Sequence, residues 1–213
     1  MARYENGING PVSGKVGTVI GASWRGVAYL KGKHKNSVKT ATEAQLMQRS
    51  ILSLANSWLK PVRDLIWIGF QVFKGTKTPM NGAVSLLMKE AIVVEDGLPR
   101  IDFSAVILSR GELLTSWMLE LSPLIDAVLY LKWDNSPLSA FNRKDDRAMF
   151  VVYNPVKEKF ITFSNVALRD DREVNLQLPV SFSGDVLHCY LFYINATGDM
   201  VSTSQYLGEV VLK

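Results

Sequence analysis

Gly10-Pro-Val-Ser-Gly14-Lys15-Val16 resembles a phosphate-binding loop, in which backbone N–H groups and a lysine cradle anionic oxygens. Two positions break the pattern. The glycine required five residues before Gly14 is Asn9, and the hydroxyl residue that would follow Lys15 and hold a metal is Val16. No glycine run has the spacing of a dinucleotide fingerprint between a strand and a helix. The chain holds 2 His and 1 Cys, too few for a zinc site of ordinary ligand spacing. His188 and Cys189 are neighbours in a strand-like run, so their side chains point to opposite faces and do not form a nucleophile pair. His34 lies in Lys31-Gly-Lys-His-Lys35 and reads as a surface residue of a basic loop. Asp145-Asp146 and Asp170-Asp171 sit beside Arg143, Arg147, Arg169 and Arg172, which reads as solvated turns. A calcium loop needs more oxygen ligands at tighter spacing. A two-carboxylate hydrolase would need acids converging from distant positions. The expectation is no catalytic residue, no metal and no cofactor.

Binding residues are better represented. The first 40 residues contain seven Gly and seven Lys/Arg but one acid, Glu5. Each glycine would cost a helix about 1 kcal/mol relative to alanine, so this is not an ordinary helix. The basic side chains interleave with aromatics, and Lys15, Trp24, Arg25, Tyr29, Lys31, Lys33 and Lys35 form the candidate partner-binding set. Lysines can hold a phosphate backbone while aromatics stack on bases. An extended glycine-rich arm can instead add a strand to a neighbour's sheet. The bland reading is a solvated basic turn.

The elements that must carry these residues follow from periodicity. Val16–Ile20 and Val27–Leu30 read as two strands around a glycine-rich turn, a β-hairpin or arm. Thr40-Ala-Thr42-Glu43 fits a capping box with Thr40 as N-cap. Met47, Ile51, Leu54 and Trp58 then recur at helical spacing. Pro61 opens a second helix toward Gly69, and Thr78-Pro79 caps a third that runs to Ile92. Glu95-Asp-Gly97 and Pro99 end that helix. From Ile101–Ile107 onward the period falls to two, and seven or eight short strands separated by turns argue a β-sandwich.

The composition is globular: 213 residues, 47% hydrophobic and 21% charged. The net charge of +4 is uneven, with +8 on residues 1–100 and −4 on residues 101–213. This predicts two parts with different surfaces, 1–100 and 101–213, or head-to-tail association of opposite faces. Cys189 cannot form an intramolecular disulfide and reads as a small core residue. No leader or membrane span is visible, which places the protein in the cytosol, with a virion or particle as the other setting. Asn195-Ala-Thr197 matches a glycosylation sequon but reads as a turn.

Leu187-His-Cys-Tyr-Leu-Phe192, a turn and Val201-Ser-Thr-Ser-Gln-Tyr206 resemble, in rhythm, the last two strands of immunoglobulin or fibronectin type III-like modules, without the paired cysteines. Blocks across the chain resemble an uncharacterised family of proteins of similar length from Bacteroidota and their mobile elements. They include Asn6-Gly-Ile-Asn-Gly10, Ser13-Gly-Lys-Val-Gly17, Val19-Ile-Gly-Ala-Ser-Trp-Arg-Gly26, Thr42-Glu-Ala-Gln-Leu-Met-Gln-Arg49 and Leu108-Ser-Arg-Gly111. That resemblance implies no activity. The expected fold is α+β: a glycine-rich arm, a small helical unit and an immunoglobulin-like antiparallel sandwich. The leading functional expectation is a non-enzymatic structural or interaction protein that self-associates, with a phage-like or surface particle as its setting. The alternative is a nucleic-acid-binding protein that uses the basic arm.

Overall fold

The chain divides into two units, Met1–Thr42 and Glu43–Lys213. The computed structural model describes residues 3–4, 10–24, 26–34, 40–73 and 77–213. In the first unit, β1 (Arg3–Tyr4), β2 (Val12–Val16), β3 (Val19–Trp24) and β4 (Val27–Gly32) form an antiparallel sheet in that order. A two-residue turn joins β2 to β3, and Gly17 in it and Gly26 just before β4 have positive φ. Such turns match the twist of the flanking strands and need left-handed residues. Gly21 is present for a different reason. A Cβ there would stand 1.9 Å from the Val12 carbonyl oxygen. Gly21 thus lets the backbone of β2 approach β3 closely.

The second unit begins with α1 (Glu43–Leu59), which starts after Thr42 rather than after Thr40. Glu43 then falls in the first turn, where an acid complements the helix dipole. The stripe Ile51, Ala55, Trp58 and Leu59 is buried as its spacing requires. Pro61 lies in a 3-10 turn, Lys60–Val62, that leads into α2 (Arg63–Gly69). Thr78 caps α3 (Pro79–Leu86), its hydroxyl accepting from Asn81 N at 3.2 Å. A π-type turn, Leu87–Ala91, carries α3 directly into strand.

Here two sequence expectations fail. Glu95-Asp-Gly97 does not terminate a helix but turns a hairpin between β5 (Ile92–Glu95) and β6 (Leu98–Ile101). Asp96 and Gly97 both have positive φ, as a tight hairpin turn of this length demands. Ile101–Ile107 is not a strand. Beyond Ile101, Asp102 accepts from Ser104 N at 2.9 Å and caps a 3-10 turn, Phe103–Ala105. That local hydrogen bond competes with strand pairing.

The remaining strands are β7 (Trp117–Pro123), β8 (Val128–Asp134), β9 (Arg147–Asn154), β10 (Lys159–Leu168), β11 (Glu173–Gln177), β12 (Val186–Ile194) and β13 (Gln205–Val211). They form two antiparallel sheets, β11-β8-β7 and β10-β9-β12-β13. One core lies between these sheets and includes Leu129, Leu131 and Trp133 with Phe150, Val152, Leu187 and Leu191. The Trp133 and Phe150 ring centroids are 5.8 Å apart across it.

A second core covers the other face of β9 and β12. Met149, Val151, Tyr153, Tyr190 and Phe192 pack with Ala55, Trp58, Ile66, Val84 and Leu87 of the helical segment. Alternate residues of one strand thus serve two cores, because side chains alternate faces with period two. This is why β9 and β12 are buried along almost their whole length. It is also why the chain does not divide near residue 100. The helices form a third layer on the larger sheet rather than a separate unit with the arm.

Candidate surface site and its relatives

The pairing of β2, β3 and β4 decides which candidate residues share a surface. Lys15 lies opposite Ile20, and Ile20 lies opposite Lys31. Ala22 lies opposite Tyr29, and Trp24 opposite Val27. Directly paired residues project to the same side of a sheet, as do every second residues along a strand. One face therefore presents Lys15, Lys31, Tyr29 and Trp24 around Ile20 and Ala22. The opposite face presents Val16, Val19, Ala28 and Leu30 with Gly14, Gly21 and Gly32. Trp24 and Tyr29 are 55% and 44% exposed, and Leu30 is 64% exposed. Lys33 lies just beyond β4, its backbone N–H donating to Thr18 O at 2.7 Å. Arg25 and Lys35 lie outside the described residues. Four of the seven expected partner-binding residues thus converge on one face and a fifth flanks it.

The groups that could do chemistry are engaged elsewhere. Asp146 is not in a solvated turn. It is fully buried and accepts from Arg169 Nε at 2.9 Å and from Arg143 N at 3.0 Å. Arg169 also donates from Nη2 to Leu114 O at 2.8 Å, and its guanidinium lies 3.7 Å from the Tyr193 ring centroid. Burial pulls the Arg169 pKa down, and Tyr193 and Asp146 oppose that pull. Asp171 accepts from Leu168 N at 2.7 Å, while exposed Asp170 pairs with Lys144 at 3.5 Å. The two acidic segments therefore lie together through Arg169, 23 residues after Asp146, and through the Lys144–Asp170 pair. Both bonds fall on Asp146 Oδ2 and tie the loops between strands together, while the buried Oδ1 has no hydrogen-bond partner.

His188 and Cys189 point to opposite cores. The His188 ring lies 4.4 Å from that of Phe103, and Nδ1 is 2.9 Å from the Tyr206 hydroxyl. Burial holds the imidazole below its ordinary range. Burial pushes the Cys189 thiol up to about 12, which removes thiolate reactivity. The Asn195 side chain is occupied by its own turn. Its Nδ2 donates to Thr197 Oγ1 at 2.8 Å, and its Oδ1 accepts from Gly198 N at 2.9 Å. Among the described residues, no three His, Cys, Asp or Glu side chains are grouped to hold a metal ion. No helix among them is long and apolar enough to cross a membrane.

A groove of about 620 Å³ opens between α1, β6 and the β9–β10 turn. Trp58, Phe103, Tyr153 and Phe160 lie along it. These rings interlock, with Trp58 edge-on to Phe160 at 4.9 Å, so they fill the layer beneath the groove.

Fold and surface together define an α+β protein of antiparallel sheets and a helical layer, with a separate N-terminal sheet that carries the exposed basic and aromatic residues. The chain belongs to the family of unknown function DUF6266, whose model matches residues 11–208. That match takes in most of the N-terminal sheet and all three layers of the second unit. No curated protein matches the chain.

Proposed function

We propose that this is a non-enzymatic structural or interaction protein that self-associates through its N-terminal sheet. The observation that carries this reading is the exposure of β4. All six of its residues are exposed, and among the described residues it pairs only with β3. Unpaired edges of this kind are templates for strand addition by another chain. The adjoining face with Val16, Val19 and Leu30 adds exposed apolar surface. Charge points the same way. Residues 1–42 carry +6 and residues 43–213 carry −2, so the basic unit of one copy is attracted to the acidic remainder of another. Head-to-tail contacts of this type close into rings or continue as filaments, which suits a component of a phage-like or surface particle. The inert settings of Cys189, His188 and Asp146 support a role without catalysis.

We also read the two sheets of β7–β13 as an immunoglobulin or fibronectin type III-like sandwich. The facing antiparallel sheets and the hairpins β9–β10 and β12–β13 support this.

Size-exclusion chromatography with light scattering tests the functional reading. The full chain is expected to form concentration-dependent oligomers, and Val19→Ser with Leu30→Ser to shift them toward monomer. A parent chain that stays monomeric up to its solubility limit would overturn the proposal.

A further inference from the structure

We propose that the opposite face of this sheet, the one presenting Lys15, Lys31, Tyr29 and Trp24, binds single-stranded nucleic acid. This goes beyond self-association and uses different side chains of the same three strands. The register sets the dimensions. Lys15 and Lys31 each lie one strand from Ile20, so their Cα atoms are about 10 Å apart at a strand spacing of about 4.8 Å. Along β4, Lys31, Tyr29 and Val27 succeed one another at steps of about 6.6 Å. Tyr29 therefore occupies the row next to the two lysines, and Trp24 the row after that. Tyr29 and Trp24 are diagonal neighbours on this face, with Ala22 and Val27 at the other two corners.

Each component has a counterpart in a single strand. Lysine ammonium groups attract phosphates without reading sequence, and exposed ring faces stack on unpaired bases. No Asp or Glu occurs between residues 6 and 42, so Glu5 is the one acidic side chain set against seven Lys/Arg in this unit. The bases of a duplex are stacked inside it and offer no π-face to Tyr29 or Trp24. The surface therefore favours a single strand over a duplex, with little sequence preference.

Fluorescence anisotropy of labelled oligo-deoxythymidine and oligo-uridine strands, with a duplex of equal length, tests the assignment. Both single strands are expected to bind more tightly than the duplex. Their log affinity falls with log salt at a slope of about −2, for contacts from Lys15, Lys31 and Lys33. Lys15→Ala with Lys31→Ala reduces that slope by about 1.4. Tyr29→Ala or Trp24→Ala weakens binding by about 5- to 100-fold each. These exposed substitutions leave the circular dichroism unchanged. Val19→Ser with Leu30→Ser, on the other face, leaves binding intact while it dissolves oligomers, which separates this inference from the assembly reading. Absence of salt-dependent binding, preference for the duplex, full binding by the double lysine variant, or loss of binding in the Val19/Leu30 variant would each overturn the proposal.

Discussion

Phe192→Ala and Leu191→Ala probe whether the helical layer and the two sheets of the second unit unfold together. Both residues are on β12 and buried to within 1%. Phe192 points into the core shared with α1–α3, whereas Leu191 points into the core between the sheets. Truncating a buried Phe costs about 3–5 kcal/mol, and a buried Leu about 2–5 kcal/mol. With a urea m-value of roughly 2 kcal/mol/M, the midpoint falls by about 1.5–2.5 M for Phe192→Ala and about 1–2.5 M for Leu191→Ala. Either loss is a large part of the roughly 5–15 kcal/mol that holds a domain folded. The assay is urea unfolding followed in parallel by far-ultraviolet circular dichroism and intrinsic tryptophan fluorescence. Because one strand belongs to both cores, the transition of the second unit should move as a whole in either variant, with the same midpoint by both probes. If Phe192→Ala lowered one transition of this unit and Leu191→Ala another, the layers would be independent and the shared-core reasoning would be refuted.

Other substitutions test individual contacts. Asp146→Ala strands the buried Arg169 guanidinium and should cost about 3–5 kcal/mol in thermal unfolding, whereas Arg169→Met combined with Asp146→Leu should recover most of that loss. Gly111→Ala places a Cβ 2.0 Å from Val201 O and should destabilise by about 1–3 kcal/mol, whereas Gly32→Ala, with nothing within 4 Å, should be far milder. His188 supplies a pH dependence. Its folded pKa lies below the unfolded value of about 6.5, so in that window the unfolded chain binds the extra proton. Its contribution is complete above pH about 7 and is lost as pH falls through the folded pKa, with Tyr206 at its Nδ1 and Glu209 paired opposite on β13. Melting temperatures measured across pH 5–8 should show this slope in the parent and a flatter profile in His188→Gln.

The features legible in the sequence were those that depend on neighbours along the chain. Thr78-Pro79 carries its own cap chemistry, and the apolar stripe of α1 follows from a period of 3.6. The strands from β7 to β13 announce themselves by short apolar runs between turns. Asp96-Gly97 was equally legible as a hairpin turn and was masked by the helix ahead of it. Continuous apolar runs in β9 and β12 signal burial on both faces, but they do not say that α1–α3 supply the second cover. The pairing of Asp146 with Arg169 was hidden because nearer arginines, Arg143 and Arg147, offered a local explanation. The surface site was half visible. Residue types in the first 40 positions suggested a binding region, yet only the register of β2, β3 and β4 sorts it into a basic aromatic face and an apolar one. Register depends on pairing partners and turn geometry, and a slip of one residue would invert both faces.

The N-terminal sheet is the centre of this account, and the oligomeric state of the full chain tests it most directly. Light scattering across a concentration series should give a mass that rises above the 23.8 kDa of a single chain and returns to it in the variant with Val19→Ser and Leu30→Ser. A parent chain that remains at the monomer mass throughout, or a variant that assembles as well as the parent, would contradict it.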